Sequence, residues 1–552
     1  MKLKLFGLLA AALLVSGCST IPQSGAIGYG ADVTSGLNND EVYYSQTGPY
    51  RDASQEAILS GFLNSGNGPQ NDYGVAREYL TKNFAARWQP NKAVLIQQGV
   101  PRLNQLSDTE YQVTIGVSGE IDQDGRYTEL PAGSTRSATI KFAKVSGQWR
   151  ISEAPDETIV IQPNFKVLFR AYSLYFFDPS LTYLVPEVRW FPSRVSTGTR
   201  IVNALLKGPS DWLKPAVVNI IPVGTKLNIN SVSIEDGVAQ VDLNSAALRI
   251  PTSKRSLVKA QISATLEQLS DVVSVEISIQ RAPQKIVGTF DGQHPSLGTA
   301  PFALTSNGLA RLNTSGAQLV PGTSAAVEKL RPTEFAYSQS QSKLALVSAT
   351  GVHLLRIDTL NDSPKLVDGR TKQLAPSFDP QGSLWTLTGI LGSPFVVTGA
   401  GRTVLHTAPI DGIPLSFDVS PEGARVAVLY RVGEASLTYV FPIERDKTGL
   451  PVRIGPPLQI RPTPSNSSWV AWADGVTLAM LAKTSSGSTT PYLVTVGGQM
   501  VSTSAVDSGV SVVVSGTAQI FVLQANGNVV ESRGSTWITI AQTVLALHVS
   551  GE

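Results

Sequence analysis

Residues that could perform chemistry are few in this chain of 552 residues. Its four histidines are His294, His353, His406 and His548. Neither the H-E-x-x-H zinc motif nor the G-x-S-x-G nucleophile motif occurs, and a single cysteine offers no second thiol for a metal site. His353 and His548 fall in alternating apolar segments, which favours structural roles for both. The sequence therefore predicts a protein that is not an enzyme and that holds no metal or cofactor.

Cys18 is the residue whose surroundings indicate a modification. Two lysines, an apolar run from Leu5 to Val15, and the small residues Ser16 and Gly17 precede it. The run is shorter than the roughly twenty residues that cross a bilayer, and it is typical of a secretory signal peptide. We expect cleavage between Gly17 and Cys18 and a lipid, with palmitate among its chains, on the Cys18 thiol. Two acyl chains give stable anchoring, which predicts an extracytoplasmic protein anchored to the cell membrane.

Charge argues against a nucleic-acid partner. Lys and Arg total 44 against 42 Asp and Glu, and removal of residues 1–17 takes away Lys2 and Lys4. The remaining chain is then formally neutral and lacks the basic surplus that phosphate binding requires. With 42% hydrophobic and 16% charged residues, the composition fits several β-rich globular domains.

The elements that must position any functional residue fall into successive segments. Residues 18–50 are rich in Gly, Ser, Asn and Gln, which predicts a flexible tether. Asp52, with Gln55 three residues later, predicts the N-cap of a first helix. Ala76, Leu80, Phe84 and Trp88 have the spacing of one face of a second helix, which Pro90 would end. Alternating strands follow, so residues 51–160 are predicted to form an NTF2-like α+β domain.

Residues 166–288 are predicted to form a second α+β domain. Asp236-Gly237 between two alternating runs indicates a two-residue hairpin, which would place Ile234 opposite Ala239 and Val232 opposite Val241. A helix predicted from Leu257 to Leu269 would then return the chain to the sheet.

The remaining chain, residues 289–552, is repetitive. Turn glycines at 382, 423, 475 and 516 are separated by 41, 52 and 41 residues, and Gln341 lies 41 residues before the first. Periods of about 40–45 residues with four short strands each are typical of propeller blades. We predict a β-propeller of about six blades, closed by pairing of the strand at 543–549 with strands between 302 and 320.

One aromatic and basic segment is a candidate partner-binding site. Pro186 and Pro192 bracket it, and Trp and Arg are common anchors of protein interfaces. The alternative is that its rings complete the core of the second domain. The candidate residues are Arg189, Trp190, Phe191 and Arg194.

Several stretches resemble the actinobacterial lipoprotein LpqB family over nearly the whole mature chain. They are Ala76-Arg77-Glu78-Tyr79-Leu80 with Trp88-Gln89-Pro90, and Leu206-Lys207-Gly208-Pro209 with Ile221-Pro222-Val223-Gly224-Thr225-Lys226-Leu227 and Asp236-Gly237-Val238-Ala239-Gln240-Val241-Asp242-Leu243. The second group is similar to the GerMN module of cell-envelope proteins. The resemblance implies a non-catalytic partner of an MtrB-like sensor histidine kinase. Contact with the extracytoplasmic kinase domain would modulate an MtrA-like response regulator, and with it envelope homeostasis and division.

Two other functions remain open from the residues themselves. Glycosidases hold two carboxylates about 5–10 Å apart, which sequence spacing does not reveal, so a cell-wall glycan-binding or glycan-processing protein using the propeller channel is the first alternative. A carrier of small molecules in the first domain is the second. Filling of that domain by Leu80, Phe84 and Trp88 would argue against the carrier.

Overall fold

A computed structural model describes residues 46–551 except 69, 194–195, 287, 289, 291–294, 314–315 and 360–361. The predicted signal peptide, the cleavage and lipidation sites at Gly17 and Cys18, most of the tether, His294 and Arg194 lie outside the described residues.

The first module packs short helices against a curved mixed sheet. The strand order is β5-β4-β2-β1-β6, with β3 paired to β2. Its elements are α1 (Gln55–Ser65), α2 (Gln70–Glu78), α3 (Lys82–Ala85), β1 (Ala93–Ser107), β2 (Glu110–Asp122), β3 (Tyr127–Glu129), β4 (Thr135–Val145), β5 (Gln148–Glu153), β6 (Thr158–Ile161) and α4 (Gln162–Leu168). Apolar residues at alternate positions of β2 point into a core shared with α1.

Two local predictions for this module are wrong. The N-cap of α1 is Ser54, whose hydroxyl accepts from the Ala57 N–H at 3.2 Å, whereas the backbone N–H of Asp52 donates to Gln148. The predicted second helix is interrupted between α2 and α3, because Leu80 forms a β-bridge with Ile151 and Thr81 then caps α3. The side chains with helical spacing are nevertheless all buried.

The second module combines a hairpin with a small sheet of order β12-β11-β10-β9. Its elements are β7 (Phe169–Phe177), β8 (Leu184–Pro192), α5 (Thr197–Lys207), β9 (Ser233–Glu235), β10 (Val238–Leu243), α6 (Arg255–Leu266), β11 (Ser274–Ile279) and β12 (Ala282–Pro283). The predicted register is confirmed where β9 pairs β10, since Ile234 lies opposite Ala239. Strands β10 and β11 run parallel, with α6 in the connection between them.

The third part of the chain forms six sheets of four or five strands within the described residues. Among its described residues this part contains one α-helix, α7 (Ser324–Leu330). The sheets are β15-β14-β13-β37, β16-β17-β18-β19, β20-β21-β22-β23, β24 to β28, β29-β30-β31-β32 and β33-β34-β35-β36. The strands are β13 (Phe302–Thr305), β14 (Gly308–Asn313), β15 (Gly316–Leu319), β16 (Glu334–Ser338), β17 (Lys343–Ser348), β18 (Gly351–Arg356), β19 (Lys365–Asp368), β20 (Ser377–Phe378), β21 (Leu384–Thr386), β22 (Phe395–Thr398), β23 (Arg402–Leu405), β24 (Ile413–Val419), β25 (Arg425–Val432), β26 (Ala435–Arg445), β27 (Pro451–Ile454), β28 (Leu458–Ile460), β29 (Ser467–Trp472), β30 (Thr477–Lys483), β31 (Thr489–Thr495), β32 (Met500–Ser502), β33 (Gly509–Val514), β34 (Ile520–Gln524), β35 (Val529–Arg533), β36 (Thr536–Ala541) and β37 (Val544–His548).

Closure of the propeller follows the predicted pairing. Strand β37 from the end of the chain pairs antiparallel with β13, with His548 opposite Phe302. All the repeated turns fall between the first and second strands of a sheet, from Gln341 to Gly516. The irregular spacing of 52 residues before Gly475 arises in the five-stranded sheet, where β28 is an additional strand on the edge of β26. The predicted fold class, α+β domains followed by an all-β propeller, is confirmed.

Candidate functional site

Strand β8 of the second module lies where the three parts of the chain meet. The backbone N–H of Trp190 donates to the carbonyl oxygen of Gly125 at 2.7 Å in the first module. The indole ring lies 5.1 Å from the ring of Phe165 and 5.6 Å from that of Tyr127, between ring centroids. Its Nε1–H donates to the carbonyl oxygen of Gly497 in the propeller at 3.0 Å. One side chain therefore joins all three modules.

The neighbours of Trp190 in the candidate partner-binding segment are buried. Arg189 forms an ion pair with Glu187 at 2.8 Å, and their side chains are only 3% and 5% exposed. Glu187 also accepts from the backbone N–H and the hydroxyl of Ser210. Phe191 belongs to the core of the second module. Arg189 and Phe191 thus offer almost no surface to another protein. Their burial agrees with the alternative prediction, in which this segment belongs to the interior.

The propeller contributes a buried arginine to the same junction. Arg425, at the start of β25, has a side chain that is 2% exposed and pairs through Nε with Glu422 at 2.8 Å. Its guanidinium donates to the carbonyl oxygens of Pro186 and Gly475. It also lies over the Trp472 ring, 4.7 Å from the centroid. Sequence alone does not indicate this role of Arg425, because the turn Ser-Pro-Glu-Gly-Ala-Arg can suggest its local ion pair but not its distant partners.

Two cavities lie beside this junction. One, of about 180 Å³, is lined by residues of all three modules, including Arg126, Arg189 and Arg461. The other, of about 480 Å³, shares Glu129, Gln459, Ile460 and Arg461 with it. Cavities between domains are common binding sites for small molecules.

A separate cavity of about 270 Å³ in the propeller is lined by Asp379, Asp418 and His548. Burial raises the pKa of Asp418 to about 6. Its two carboxylate oxygens accept from the Ser377 hydroxyl at 2.8 Å and the Trp472 backbone N–H at 2.9 Å, which connect neighbouring sheets. Asp379 is paired with Arg445 at 2.8 Å. Both carboxylates are therefore engaged by the fold.

The three histidines within the described residues occupy unrelated positions. His353 is buried, with Nδ1 3.4 Å from the Ser348 hydroxyl, and His406 is exposed. Burial lowers the pKa of His548 to about 4. No three His, Cys, Asp or Glu side chains are grouped as metal ligands in the part of the chain that the structure describes.

The first module contains a smaller apolar cavity of about 130 Å³ beside Trp88 and Glu157. Leu80, Phe84 and Trp88 are buried in the core of this module. Their burial argues against a carrier of small molecules in this module. Among the described residues, no helix is long and apolar enough to span a bilayer.

Comparison with known proteins assigns each module. Residues 48–166 match the N-terminal domain of lipoprotein LpqB, residues 173–285 match the Germane domain of sporulation and spore germination, and residues 307–546 match the LpqB β-propeller domain. The chain is 28% identical to Lipoprotein LpqB of Bifidobacterium longum, over 76% of this chain and 75% of that protein. It is 24% identical to Lipoprotein LpqB of Cutibacterium acnes, over 89% of this chain and 88% of that protein. The solved first GerMN domain of GerM from Bacillus subtilis is 18% identical, with a TM-score of 0.18, and covers 22% of this chain and 92% of that chain. Because LpqB domains match in order on both sides of the Germane domain, this chain belongs to the LpqB family of envelope lipoproteins.

Proposed function

We propose that this lipoprotein is held on the extracytoplasmic face of the cell membrane by lipid on Cys18 and binds the sensor domain of an MtrB-like histidine kinase. Binding modulates phosphorylation of an MtrA-like response regulator, and the lipoprotein itself catalyses no reaction. The observation that carries this proposal is the succession of LpqB N-terminal, Germane and LpqB propeller domains on one chain. A regulatory partner is the role that the resemblance to this family implies.

The packing of the modules supports binding rather than chemistry. Trp190, which is partly buried, and Arg425, which is buried, connect the modules by hydrogen bonds. These contacts fix the three modules relative to one another. Two connecting segments of the second module, the turn at Val223 and the short 3₁₀ helix Ser245–Arg249, expose apolar side chains, Val223 at 92% and Leu248 at 57%. We call both segments the exposed loops. The loops are joined by a hydrogen bond from the Arg249 guanidinium to the Val223 carbonyl oxygen. Exposed apolar groups of this kind are candidates for contact with another protein.

Calorimetric titration of the full-length lipidated chain in detergent micelles with the kinase sensor domain tests the proposal. We expect saturable binding. Replacing Val223 and Leu248 together by Asp is expected to weaken it at least about tenfold, because burial of a charge opposes contact. Val501→Asp is the matched control, since Val501 is 58% exposed on β32 of the propeller. Absence of binding up to high micromolar concentrations of the sensor domain would contradict the proposal.

The anchor is tested separately. Cys18→Ser removes the thiol that receives the lipid, so the variant is expected to lack acyl mass and to leave the membrane fraction. Retention of both the acyl mass and the membrane association by the variant would refute lipidation at Cys18.

One observation favours the alternative function, glycan processing. Burial raises the pKa of Asp418, which lines the propeller cavity. We expect no hydrolysis of purified cell-wall glycan by the wild-type chain. Turnover that Asp418→Asn abolishes, in a variant with unchanged thermal unfolding, would replace the regulatory proposal by the catalytic one.

A further inference from the structure

The junction of the three modules contains a cleft that is not part of the proposed kinase contact. Its inner part is the cavity of about 180 Å³, to which the first module contributes Arg126 and Glu129, the second Glu187 and Arg189, and the propeller Arg425 and Arg461. Its outer part is the cavity of about 480 Å³ between the first module and the propeller. Glu129, Gln459, Ile460 and Arg461 line both parts.

Two guanidinium groups of the inner part each leave one buried N–H without an acceptor. The Nε atoms of Arg126 and Arg189 are buried and form no hydrogen bond with the described residues, although the Arg126 side chain as a whole is 41% exposed and that of Arg189 only 3%. Nη1 and Nη2 of Arg189 contact Glu187, and Nη1 of Arg126 lies 3.4 Å from Asp122 and 3.6 Å from Asp124. A buried donor of a charged group is costly to leave unsatisfied. Both donors line one cavity, and each can donate to an acceptor that enters it.

A third guanidinium, that of Arg461, can bind an anion. Its Nε donates to the neutral amide oxygen of Gln459 at 3.0 Å, and it has no ion pair with the residues that the structure describes. Two acids near the cleft form ion pairs: Glu187 pairs with Arg189, and Glu422 pairs through Oε1 with Arg425, while its Oε2 forms no hydrogen bond with the described residues. Glu129 accepts from the Tyr127 hydroxyl, and burial raises the pKa of Glu129, which reduces its tendency to carry charge.

The outer part of the cleft has the lining that a polyhydroxylated molecule requires. Gln98, Ser118 and Gln162 supply amide and hydroxyl groups from the first module and its following helix. Leu130 and Pro131 supply apolar contact surface beside them. Sites for polar ligands combine a few placed hydrogen-bonding groups with apolar walls in this way.

We propose that this cleft binds a sugar acid, whose carboxylate accepts hydrogen bonds from the arginines of the inner part and whose hydroxyl groups occupy the outer part. Guanidinium is the group best suited to a carboxylate, because its planar N–H donors match the two oxygens. The ligand contacts all three modules, so its binding stabilises their assembled arrangement by mass action.

Calorimetric titration of the full-length chain with D-glucuronate tests this inference, with D-glucose as the neutral probe of the same ring. We expect saturable binding of glucuronate and no saturable binding of glucose. Arg461→Gln, a change of an exposed residue, is expected to weaken glucuronate binding at least about tenfold, since it removes a charge-assisted hydrogen bond. Arg402→Gln is the matched control, because Arg402 is an exposed arginine on β23 outside the cleft.

The possible results separate clearly. We expect a dissociation constant below about 10 mM for such contacts. Absence of binding at about 10 mM glucuronate would therefore overturn the inference. Equal affinity for glucose, or equal loss in Arg402→Gln and Arg461→Gln, would overturn the role of the arginines. Binding of L-glutamate in preference to glucuronate would overturn the assignment of a saccharide. None of these results depends on binding of a kinase.

Discussion

Replacement of Trp190 by Ala is expected to disconnect the three modules as well as to destabilise them. The substitution removes a ring that contacts Phe165 and Tyr127 in the first module and a donor to Gly497 in the propeller. It leaves the backbone hydrogen bond from Trp190 N–H to Gly125 in place. The loss is therefore confined to the side chain that crosses the junction.

The size of the effect follows from these contacts. Removing a fully buried ring of this size costs about 3–5 kcal/mol of the free energy of unfolding, and Trp190 is partly buried, so this range is the upper limit for its ring. Each aromatic pair contributes about 0.5–1.5 kcal/mol of stability beyond burial, and the hydrogen bond about 0.5–1.5 kcal/mol. Trp190→Phe retains most of the ring contacts and loses the Nε1 donor, so it is expected to cost only about 1 kcal/mol.

Denaturant unfolding and scanning calorimetry of the full-length chain measure both consequences. We expect Trp190→Ala to lower the stability of the first module relative to the propeller and to resolve their transitions further apart. Trp537→Ala is the matched control, because Trp537 is also partly buried and donates to a carbonyl oxygen, that of Ala505, at 3.0 Å, within the propeller alone. Unchanged separation of the transitions in Trp190→Ala, with a loss under about 1 kcal/mol, would refute the reasoning.

Three further changes test single interactions. Burial raises the pKa of Glu334 from 4.5 to about 7, so the folded protein loses stability as pH rises through this interval; Glu334→Gln is expected to match wild type at pH 4.5 and to be the more stable protein at pH 8 in denaturant titrations. Burial alone would raise the pKa of Asp368, but hydrogen bonds from Arg370 and Thr386 lower it from 3.8 to about 2, so its stabilising contribution is present above pH 4 and is lost as pH falls towards 2. Asp368→Asn is therefore expected to be destabilised at pH 7 by about 1.5–3 kcal/mol, and a gap of the same size at pH 2 would contradict the assignment. Arg425→Ala leaves Glu422 buried without its partner and is expected to lower the free energy of unfolding by about 3–5 kcal/mol, whereas a loss under 1 kcal/mol would show that water replaces the guanidinium.

Local patterns predicted the fold where the interacting residues are close in sequence or repeat regularly. The turn Asp236-Gly237 set the pairing of Ile234 with Ala239, because a two-residue hairpin fixes the register of its strands. The spacing of the turns indicated the sheets of the propeller, and the need to avoid a free edge indicated the pairing of β37 with β13. The interruption before α3 was not predictable, because it depends on the pairing of Leu80 with Ile151, far away in the chain.

The candidate site shows the same limit more strongly. Trp190 and Arg189 were identified by residue type, and that type suits an exposed anchor as well as an interior junction. The deciding contacts involve Gly497, which lies 307 residues from Trp190. Arg425 was missed for the same reason, since its contact with Pro186 spans 239 residues. Spacing along a chain does not encode pairs at such separations.

The placement of β8 changes where a partner of this lipoprotein can act. A partner that contacted Arg189 directly would first have to separate buried surfaces of three modules, which costs the contacts of Trp190 and of Arg425 together. A partner that binds the loops at Val223 and Leu248 leaves those contacts intact. The two sites therefore predict opposite responses to Trp190→Ala: kinase binding at the exposed loops should be retained, because these loops belong to the second module alone, whereas sugar-acid binding at the junction should be lost. Loss of both in that variant would show that the exposed loops depend on the assembled junction, and retention of both would exclude the cleft as the sugar-acid site.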